Sequence, residues 1–341
     1  MPKGFAPVSF TAVSADQYWL LGTAPCSNPV CTSIVGTTDG GAHFSGVPAP
    51  QVPLSGAGLT GQQDGNGIDT LRFADALDGY AFGTGGDQFW DTHDGGSTWA
   101  APGFMSGRSL LAFGTGAGFA FALVGSCQSG TCSNVVVERS PVHTDNWSSL
   151  AVPLPSGISG LASMAVHGTD LWVSATTGAA QANQVLVMST SSGAGFTTGQ
   201  SPCFSGLGGT LSATSAQVVW AVCPTGMLAE VFRSADGGRT WAGLGSNTGE
   251  VSNGAVLAAA SDSTAVLAPG GATQLLRTTD GGSTWSPVPG TGSGSLGWSW
   301  AGFTTPTTGA ALRSSSGPAS GEQLWRTTDG GASWSGPVSF G

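Results

Sequence analysis

Short apolar segments separated by turn residues recur along the whole chain, and this pattern predicts strands. One unit contains the apolar segment Val256–Ala260, a turn, a second segment Thr264–Leu267, a loop, and a third segment Gln274–Arg277. Segments of about four or five residues bounded by Gly, Ser and Thr are typical of strands and too short for ordinary helices. The pattern therefore predicts antiparallel strands joined by tight turns.

Each unit closes with an eight-residue box that reads Ser/Thr-x-Asp-x-Gly-x-x-Trp/Phe. Two weaker copies, at 140–147 and 189–196, fill the gap between the second and third full ones, and the final aromatics of all seven lie about 48 residues apart on average. That spacing is the length of one four-stranded propeller blade. The five full boxes contain Asp39, Asp94, Asp236, Asp280 and Asp329.

The repeat predicts an all-β protein, a single seven-bladed β-propeller of four-stranded antiparallel blades that spans residues 1–341. We expect the blades to end near residues 50, 103, 152, 200, 245, 290 and 340. In each box the aspartate accepts backbone N–H groups and the glycines adopt positive φ, so the box is a structural turn between the third and fourth strands. Aromatic residues recur in the second strand and are predicted to lie in the core: Trp19, Tyr80, Trp172 and Trp220.

Composition excludes several classes of function. Glycine supplies 57 of the 341 residues, charged residues are 8%, and the formal net charge is −10. Nine scattered cations provide neither the basic footprint of a nucleic-acid-binding protein nor a polybasic membrane contact. The hydrophobic content of 40% argues against disorder, and no apolar run is long enough for a membrane-spanning helix.

Six cysteines form an even set, which predicts disulfides in an oxidising compartment. The expected pairs are Cys26–Cys31, Cys127–Cys132 and Cys203–Cys223. A zinc site built from four cysteines is the alternative, although the spacing within the pairs and the absence of a nearby histidine disfavour it. No apolar leader follows Met1, so we expect the mature form of a secreted protein, extracellular or in the cell envelope.

The boxes resemble those of the Asp-box, or BNR, repeat family, and the resemblance covers nearly the whole chain. Relatives include bacterial sialidases, sortilin-type receptors, xyloglucan-degrading hydrolases and the photosystem II assembly-factor group. The chain looks most similar to secreted bacterial members. This fold hosts hydrolases, receptors and assembly factors alike, so the resemblance implies the propeller and leaves the activity open.

Two enzymatic activities, those of a sialidase and of a two-carboxylate glycosidase, each require particular side chains. A sialidase needs a tyrosine nucleophile and an arginine triad, but neither of the two tyrosines has a suitable position. Arg233, Arg277 and Arg326 recur before boxes and are interpreted as structural, which leaves Arg72, Arg108 and Arg313 as arginines that can converge on a ligand. A two-carboxylate glycosidase would draw on the loop-face candidates Asp64, Asp69, Asp87, Glu250 and Glu322.

Three other features have alternative interpretations. Asp64, Asn66 and Asp69 crowd oxygen ligands in one long connection, which is either a Ca²⁺ site or a solvated loop. The four histidines are dispersed and indicate neither a metal cluster nor a catalytic base. Trp298 and Trp300, at i and i+2, are expected to share one face of a strand, either as core residues or as a platform for a sugar.

The leading hypothesis is a secreted, non-catalytic binding or scaffold module for a cell-surface glycan or protein. The alternative is a glycan-active hydrolase or lyase that uses the loop-face carboxylates. We expect a monomer that binds no nucleic acid, inserts into no membrane, and needs no cofactor apart from a structural Ca²⁺ in the alternative interpretation of the Asp64 loop.

Overall fold

The computed structural model describes residues 4–26, 31–55, 67–177, 184–204, 206–245, 251–271, 274–292, 297–313 and 322–338. This part of the chain is almost entirely β-structure, turns and irregular loops, and it includes a 3₁₀ helix at Gly103–Met105. No helix within it has the length and apolar character needed to cross a membrane. The prediction of an all-β protein is confirmed.

The strands of the described residues fall into seven consecutive antiparallel runs, in each of which a strand pairs with the next along the chain. Runs one to three are β1 (Ala6–Ala12), β2 (Tyr18–Ala24), β3 (Cys31–Thr37) and β4 (Ser45–Val47); β5 (Thr70–Phe73), β6 (Gly79–Phe82) and β7 (Phe89–Thr92); and β8 (Ser109–Gly116), β9 (Phe119–Gln128), β10 (Thr131–Pro141) and β11 (Ser148–Leu150).

The later runs repeat this arrangement. Run four is β12 (Ile158–His167), β13 (Asp170–Thr177), β14 (Gln184–Ser189) and β15 (Thr197–Gln200), and run five is β16 (Thr210–Ala213), β17 (Val219–Pro224), β18 (Ala229–Ser234) and β19 (Ala242–Gly243). Run six is β20 (Val256–Ala259), β21 (Ala265–Ala268), β22 (Leu276–Thr278) and β23 (Ser286–Pro287), and run seven is β24 (Trp298–Phe303), β25 (Gly309–Arg313) and β26 (Gln323–Thr327).

Runs two and seven have three strands each, and in both an isolated bridge stands where a fourth strand would pair. These bridges join Asp91 to Ala100 and Arg326 to Ser335. Runs three and four are joined into one eight-stranded sheet, because β10 pairs with β12 at Thr131–Ser159 and Cys132–Ile158.

The hydrophobic core is divided into clusters that lie between neighbouring runs. One cluster joins Trp19 and Leu21 of run one to Phe73 of run two, and similar clusters follow at each later junction. A further cluster joins Tyr18 of run one to Leu312 of run seven. The runs therefore close into a ring. The second-strand aromatics predicted as core are all buried: Trp19, Tyr80, Trp172 and Trp220.

First strands of neighbouring runs lie side by side at several junctions, as β1 with β5, β8 with β12, and β20 with β24. Hydroxyl groups join them: the backbone N–H of Leu71 donates to Ser9 Oγ at 3.0 Å, and that of Phe73 donates to Thr11 Oγ1 at 2.9 Å. Side-chain hydroxyls thus replace the backbone carbonyls that would pair the strands in a continuous sheet.

An arginine before the box links several runs to the next one. Arg277 Nε donates to the carbonyl of Gly330 at 2.7 Å, and Arg139 Nη1 donates to that of Ser192 at 2.9 Å. Arg233 reaches the carbonyl of Asp262 in the same way. These contacts confirm that Arg233 and Arg277 have a structural role. We refer to each of these contacts between runs as an arginine clasp.

Candidate functional site

A cavity of about 310 Å³ lies where the first strands of four runs meet. Its walls come from the ends of β1, β5, β8 and β24, at the face of the ring that also carries the boxes and the turns between first and second strands. Phe10, Arg72, Thr115 and Trp300 lie on these walls. Two of the residues singled out in the sequence, Arg72 and Trp300, therefore share one cavity.

Arg72 is the cationic group of this cavity. It occupies the third position of β5, between buried Leu71 and Phe73, and its own side chain is exposed. Among the described residues, no hydrogen bond or ion pair involves its guanidinium. Desolvation by the surrounding protein lowers the pKa of Arg72, although an arginine remains protonated at neutral pH. An unpaired, partly desolvated guanidinium favours binding of an anionic group, above all a planar carboxylate.

Trp300 supplies an aromatic surface next to this cation. Its ring lies 5.5 Å from the ring of Phe10 and is partly buried against the cluster between runs seven and one. Gly302 makes room for it, because a Cβ at that position would lie 2.7 Å from the indole ring. The cavity therefore combines an aromatic surface with a cation, which suits a ligand that is apolar on one side and anionic on the other.

The expectation that Trp298 and Trp300 share one face is wrong. A β-bulge shifts the register between them, so that Trp298 pairs with Arg313 and Trp300 with Leu312. An extra residue in a strand reverses the faces of the positions that follow it. Trp298 is 4% exposed and packs against Trp325 in the cluster between runs six and seven, on the other side of run seven.

The arginines Arg72, Arg108 and Arg313 do not converge. Arg108 Nη1 donates to Glu138 Oε1 at 2.5 Å, in an ion pair whose carboxylate is buried. The Arg313 guanidinium is buried and lies 5.2 Å from the ring centre of Trp298, in a cation–π contact. The structure thus places Arg108 and Arg313 in packing roles and leaves Arg72 facing the cavity.

The loop-face carboxylates have different environments. Burial raises the pKa of Asp69 and of Glu322, while hydrogen bonds from Thr70 and Ser299 respectively oppose the rise. Asp87 is exposed and accepts a hydrogen bond from the Gln88 side chain. The remaining candidates, Asp64, Asn66 and Glu250, lie outside the described residues, so the Asp64–Asn66–Asp69 calcium site remains a sequence prediction.

Each box aspartate accepts hydrogen bonds from residues of its own turn. Asp280 Oδ1 accepts the hydroxyl of Thr278 at 2.8 Å and the backbone N–H of Thr284 at 2.9 Å, and Gly281 and Gly282 have φ of 72° and 90°. This is the hydrogen-bonding role that the sequence predicts. Hydrogen bonds from the residue four positions later lower the pKa of four of these carboxyls to about 2: Asp94, Asp236, Asp280 and Asp329. The carboxylates of Asp39 and Asp94 accept the same contacts as that of Asp280.

Two predicted disulfides are present, Cys127–Cys132 between β9 and β10 and Cys203–Cys223 between a connection and β17. They are compatible with an extracellular protein. In the third predicted pair, Cys26–Cys31, the side chain of Cys31 lies outside the described residues.

Sequence reasoning missed Phe10 and Thr115 as cavity residues. In the sequence both are ordinary members of first strands, and nothing local marks them as cavity residues.

Comparison with known proteins supports the fold. Neither a known protein-family profile nor a curated protein matches the sequence. Among solved structures, YCF48 bound to a D1 peptide is similar at 17% identity and a TM-score of 0.61, over 96% of this chain and 95% of that one. YCF48 from Cyanidioschyzon merolae is similar at 15% identity and a TM-score of 0.59, over 96% and 97%.

A puromycin-hydrolysing peptidase of Mycobacterium tuberculosis is also similar, at 10% identity and a TM-score of 0.62. The match covers 98% of this chain and 53% of that one, so the chain spans about half the length of the peptidase. At such identities the likeness concerns the fold alone. Together with the closed ring of antiparallel runs, it identifies the chain as a β-propeller.

Proposed function

We propose that this protein is a non-catalytic binding module, a single seven-bladed β-propeller that takes a peptide segment of another protein into its central cavity. Each antiparallel run is one blade, and the five full boxes are Asp-box turns. The ligand presents a carboxylate to Arg72 and an apolar side chain to Trp300. The protein acts as a monomer outside the cell or in its envelope, where its disulfides persist.

The observation that carries this proposal is the guanidinium of Arg72, which has no hydrogen-bond or ion-pair partner among the described residues and shares a cavity with the aromatic ring of Trp300. A charge-assisted bond to such a cation in a partly desolvated site is stronger than one in bulk water. Around it the chain carries a net charge of −10. Long-range repulsion therefore disfavours strongly acidic ligands and favours a segment with a single carboxylate.

The similarity to a propeller solved with a bound peptide supports a protein ligand. The two chains match over nearly their full lengths, which supports a peptide ligand for a fold of the same kind. A glycan is the competing ligand, because the exposed part of an indole ring such as that of Trp300 also stacks on sugars.

The proposal is tested by selecting binders from a library of random twelve-residue peptides, once with free and once with amidated carboxyl ends. Dissociation constants of the enriched peptides are then measured by fluorescence polarisation. Arg72→Gln is expected to weaken binding by about tenfold or more, since a hydrogen bond to a charged group contributes roughly 1.5–3 kcal/mol. Arg239→Gln is the matched control, because Arg239 lies on an exposed box turn and bonds the carbonyl of Asp236.

Enrichment of peptides without any carboxylate, or equal binding by Arg72→Gln, would refute the proposed site. A panel of polysaccharide gels addresses the alternatives. Retardation in one gel that is lost in Trp300→Leu would replace the peptide with a glycan. Clearing of the polymer around the band would replace the binding function with hydrolysis, and Asp69 and Glu322 would then be the first residues to substitute.

A further inference from the structure

Four aspartates and two histidines meet at the junction of runs two and three, on the box face and apart from the central cavity. Asp75 and Asp78 lie in the turn between β5 and β6. Asp91 and His93 lie at the end of β7, and His143 and Asp145 belong to the weak third box. Because His93 and His143 are separated by a whole blade in sequence, their dispersal gave no sign of this cluster.

Asp78 is the centre of the cluster. It is 1% exposed, and its two carboxylate oxygens each lie 2.5 Å from a histidine Nδ1, one from His93 and one from His143. A carboxylate that accepts the Nδ1–H of a neutral imidazole fixes its tautomer and leaves the Nε2 lone pair free. The same arrangement orients histidine ligands in many metal sites.

The Nε2 atom of His93 faces two further carboxylates. It lies 3.3 Å from Asp145 Oδ1, and one ligand atom each of Asp91, His93 and Asp145 lie within 4.8 Å of one another. Two ligand atoms bound at 2.0–2.1 Å to a tetrahedral zinc ion are separated by roughly 3.3 Å. The observed spacing therefore equals one edge of such a coordination tetrahedron.

Asp91 provides an independent observation. Its side chain is 1% exposed, and neither of its carboxylate oxygens has a hydrogen-bond donor among the described residues. A buried carboxylate without a partner is expensive, because it loses its hydration and gains nothing in return. No lysine or arginine in the described part of the chain forms an ion pair with any of the four aspartates.

The position of Asp91 in the repeat explains why no arginine of the described residues pairs with these aspartates. It directly precedes the second box. In four of the six other copies the corresponding residue is an arginine that clasps the next run, and the other two copies have Gly36 and Met188 there; the four are Arg139, Arg233, Arg277 and Arg326. Here a carboxylate stands in that position, and the box that it faces carries His143 and Asp145 in a turn that lacks the box aspartate. Within the described part of the chain this junction therefore has no arginine clasp, and in its place it has side chains that can bind a cation.

We infer that Asp91, His93 and Asp145 bind a divalent transition-metal ion, with zinc the best fit, and that this ion holds runs two and three together. One imidazole and two carboxylates leave a coordination position for water, and imidazole nitrogen and carboxylate oxygen are both ligands that zinc accepts. Asp78 positions His93. Asp75 and His143 border the site, where His143 Nε2 lies 3.8 Å from Asp75 Oδ2.

The test uses the full chain without a histidine tag, stripped with a chelator and dialysed. Zn²⁺ is titrated by calorimetry, and Co²⁺ is added separately to record its visible d–d spectrum. We expect one strong site per chain, intense absorption typical of four-coordinate cobalt, and a rise in melting temperature with Zn²⁺ on the order of 5 °C.

Asp91→Asn and His93→Gln are expected to weaken Zn²⁺ binding by about 100-fold or more, and Asp78→Asn by roughly 10–100-fold as a positioning residue. Asp145→Asn removes a ligand that is 48% exposed, so it tests the site even if substitution of buried Asp91 impairs folding. The matched control is His43→Gln, which removes an exposed histidine that pairs with box residue Asp39 and belongs to no group of three potential metal ligands among the described residues.

Failure to bind Zn²⁺ or Co²⁺ stoichiometrically at micromolar concentrations would overturn the inference. So would binding that His93→Gln and Asp145→Asn leave unchanged, or binding that His43→Gln abolishes. Calorimetry without saturation, and without a cobalt spectrum, would identify weak surface association and would equally overturn it.

Discussion

Arg326 of run seven donates a hydrogen bond from Nη2 to the backbone carbonyl of Ala15 in run one, at 3.0 Å. The same guanidinium bonds the carbonyl of Gly40 and lies 4.9 Å from the ring centre of Tyr18. These residues stand more than 280 positions apart in sequence. Among the described residues no strand of run one pairs with a strand of run seven, so side-chain contacts and the shared apolar cluster close the ring at this point.

Arg326→Ala is expected to lower the free energy of unfolding by about 1–3 kcal/mol, because each hydrogen bond from a charged group contributes roughly 1.5–3 kcal/mol and the site is partly exposed. Urea denaturation followed by tryptophan fluorescence measures the change. Arg239→Ala is the control, since Arg239 bonds a carbonyl in its own turn. Equal losses in the two variants would show that closure of the ring does not depend on Arg326.

Stability is expected to fall in acid as the box aspartates are protonated. The pKa values of Asp236, Asp280 and Asp329 are lowered to about 2 in the folded protein, against an ordinary value near 3.9 in the unfolded chain. Each carboxylate therefore stabilises the fold fully above about pH 4 and loses that effect as the pH falls toward 2. Melting temperatures between pH 6 and pH 2 measure the decline.

Asp280→Asn should melt below the wild type at pH 6, with the difference shrinking as the pH approaches 2. Asp87→Asn is the matched control, because Asp87 is exposed and accepts a single side-chain hydrogen bond from Gln88. A constant difference between Asp280→Asn and wild type over the whole range would contradict the assigned role of this carboxylate.

The two observed disulfides are expected to contribute unequally. Cys203 and Cys223 close a loop with a sequence separation of 20, whereas Cys127 and Cys132 are separated by 5. Loop-closure entropy then predicts losses of about 3 kcal/mol and about 2 kcal/mol on removal. Paired Cys→Ser variants and denaturant titration measure both. A larger loss for Cys127–Cys132 would mean that local packing outweighs chain entropy.

The two tryptophans of β24 are expected to separate stability from binding. Trp298→Ala removes a fully packed ring and should cost about 3–5 kcal/mol in unfolding free energy. Trp300→Ala removes a partly buried ring and should cost less than about 2 kcal/mol, while it weakens peptide binding. Calorimetric melting and the peptide assay distinguish these effects. The reverse order of stabilities would place Trp300 in the core.

The repeat predicted much of the fold because the same short-range structural features recur in each unit. Asp280 and its glycines specify the same turn wherever they occur, and Trp220 is buried because a second strand lies between two neighbours. The disulfide pairs could likewise be predicted from the positions of the cysteines. These features depend on residues close in sequence or on the repeat period, so one chain is enough to identify them.

The functional residues depend on departures from that period, which local patterns describe poorly. One bulge placed Trp298 and Trp300 on opposite sides of run seven, and no residue type marks it in the sequence. Asp91 could be recognised as unusual only after the structure showed that arginines at the same position of other copies contact the next run. His93 and His143 meet because Asp78 lies between them in space, and only the packing of two runs brings the three together.

The arginine clasps also give the ring a direction. Each clasp extends from the third strand of one run to the turns of the following run, as from Arg277 to Gly330, and none of those described extends backward. The two sides of a blade are therefore chemically different, one offering a guanidinium and the other offering carbonyl oxygens. A run that is inserted, duplicated or exchanged with another protein would therefore fit in one orientation only, with its guanidinium next to the carbonyl oxygens of the following run.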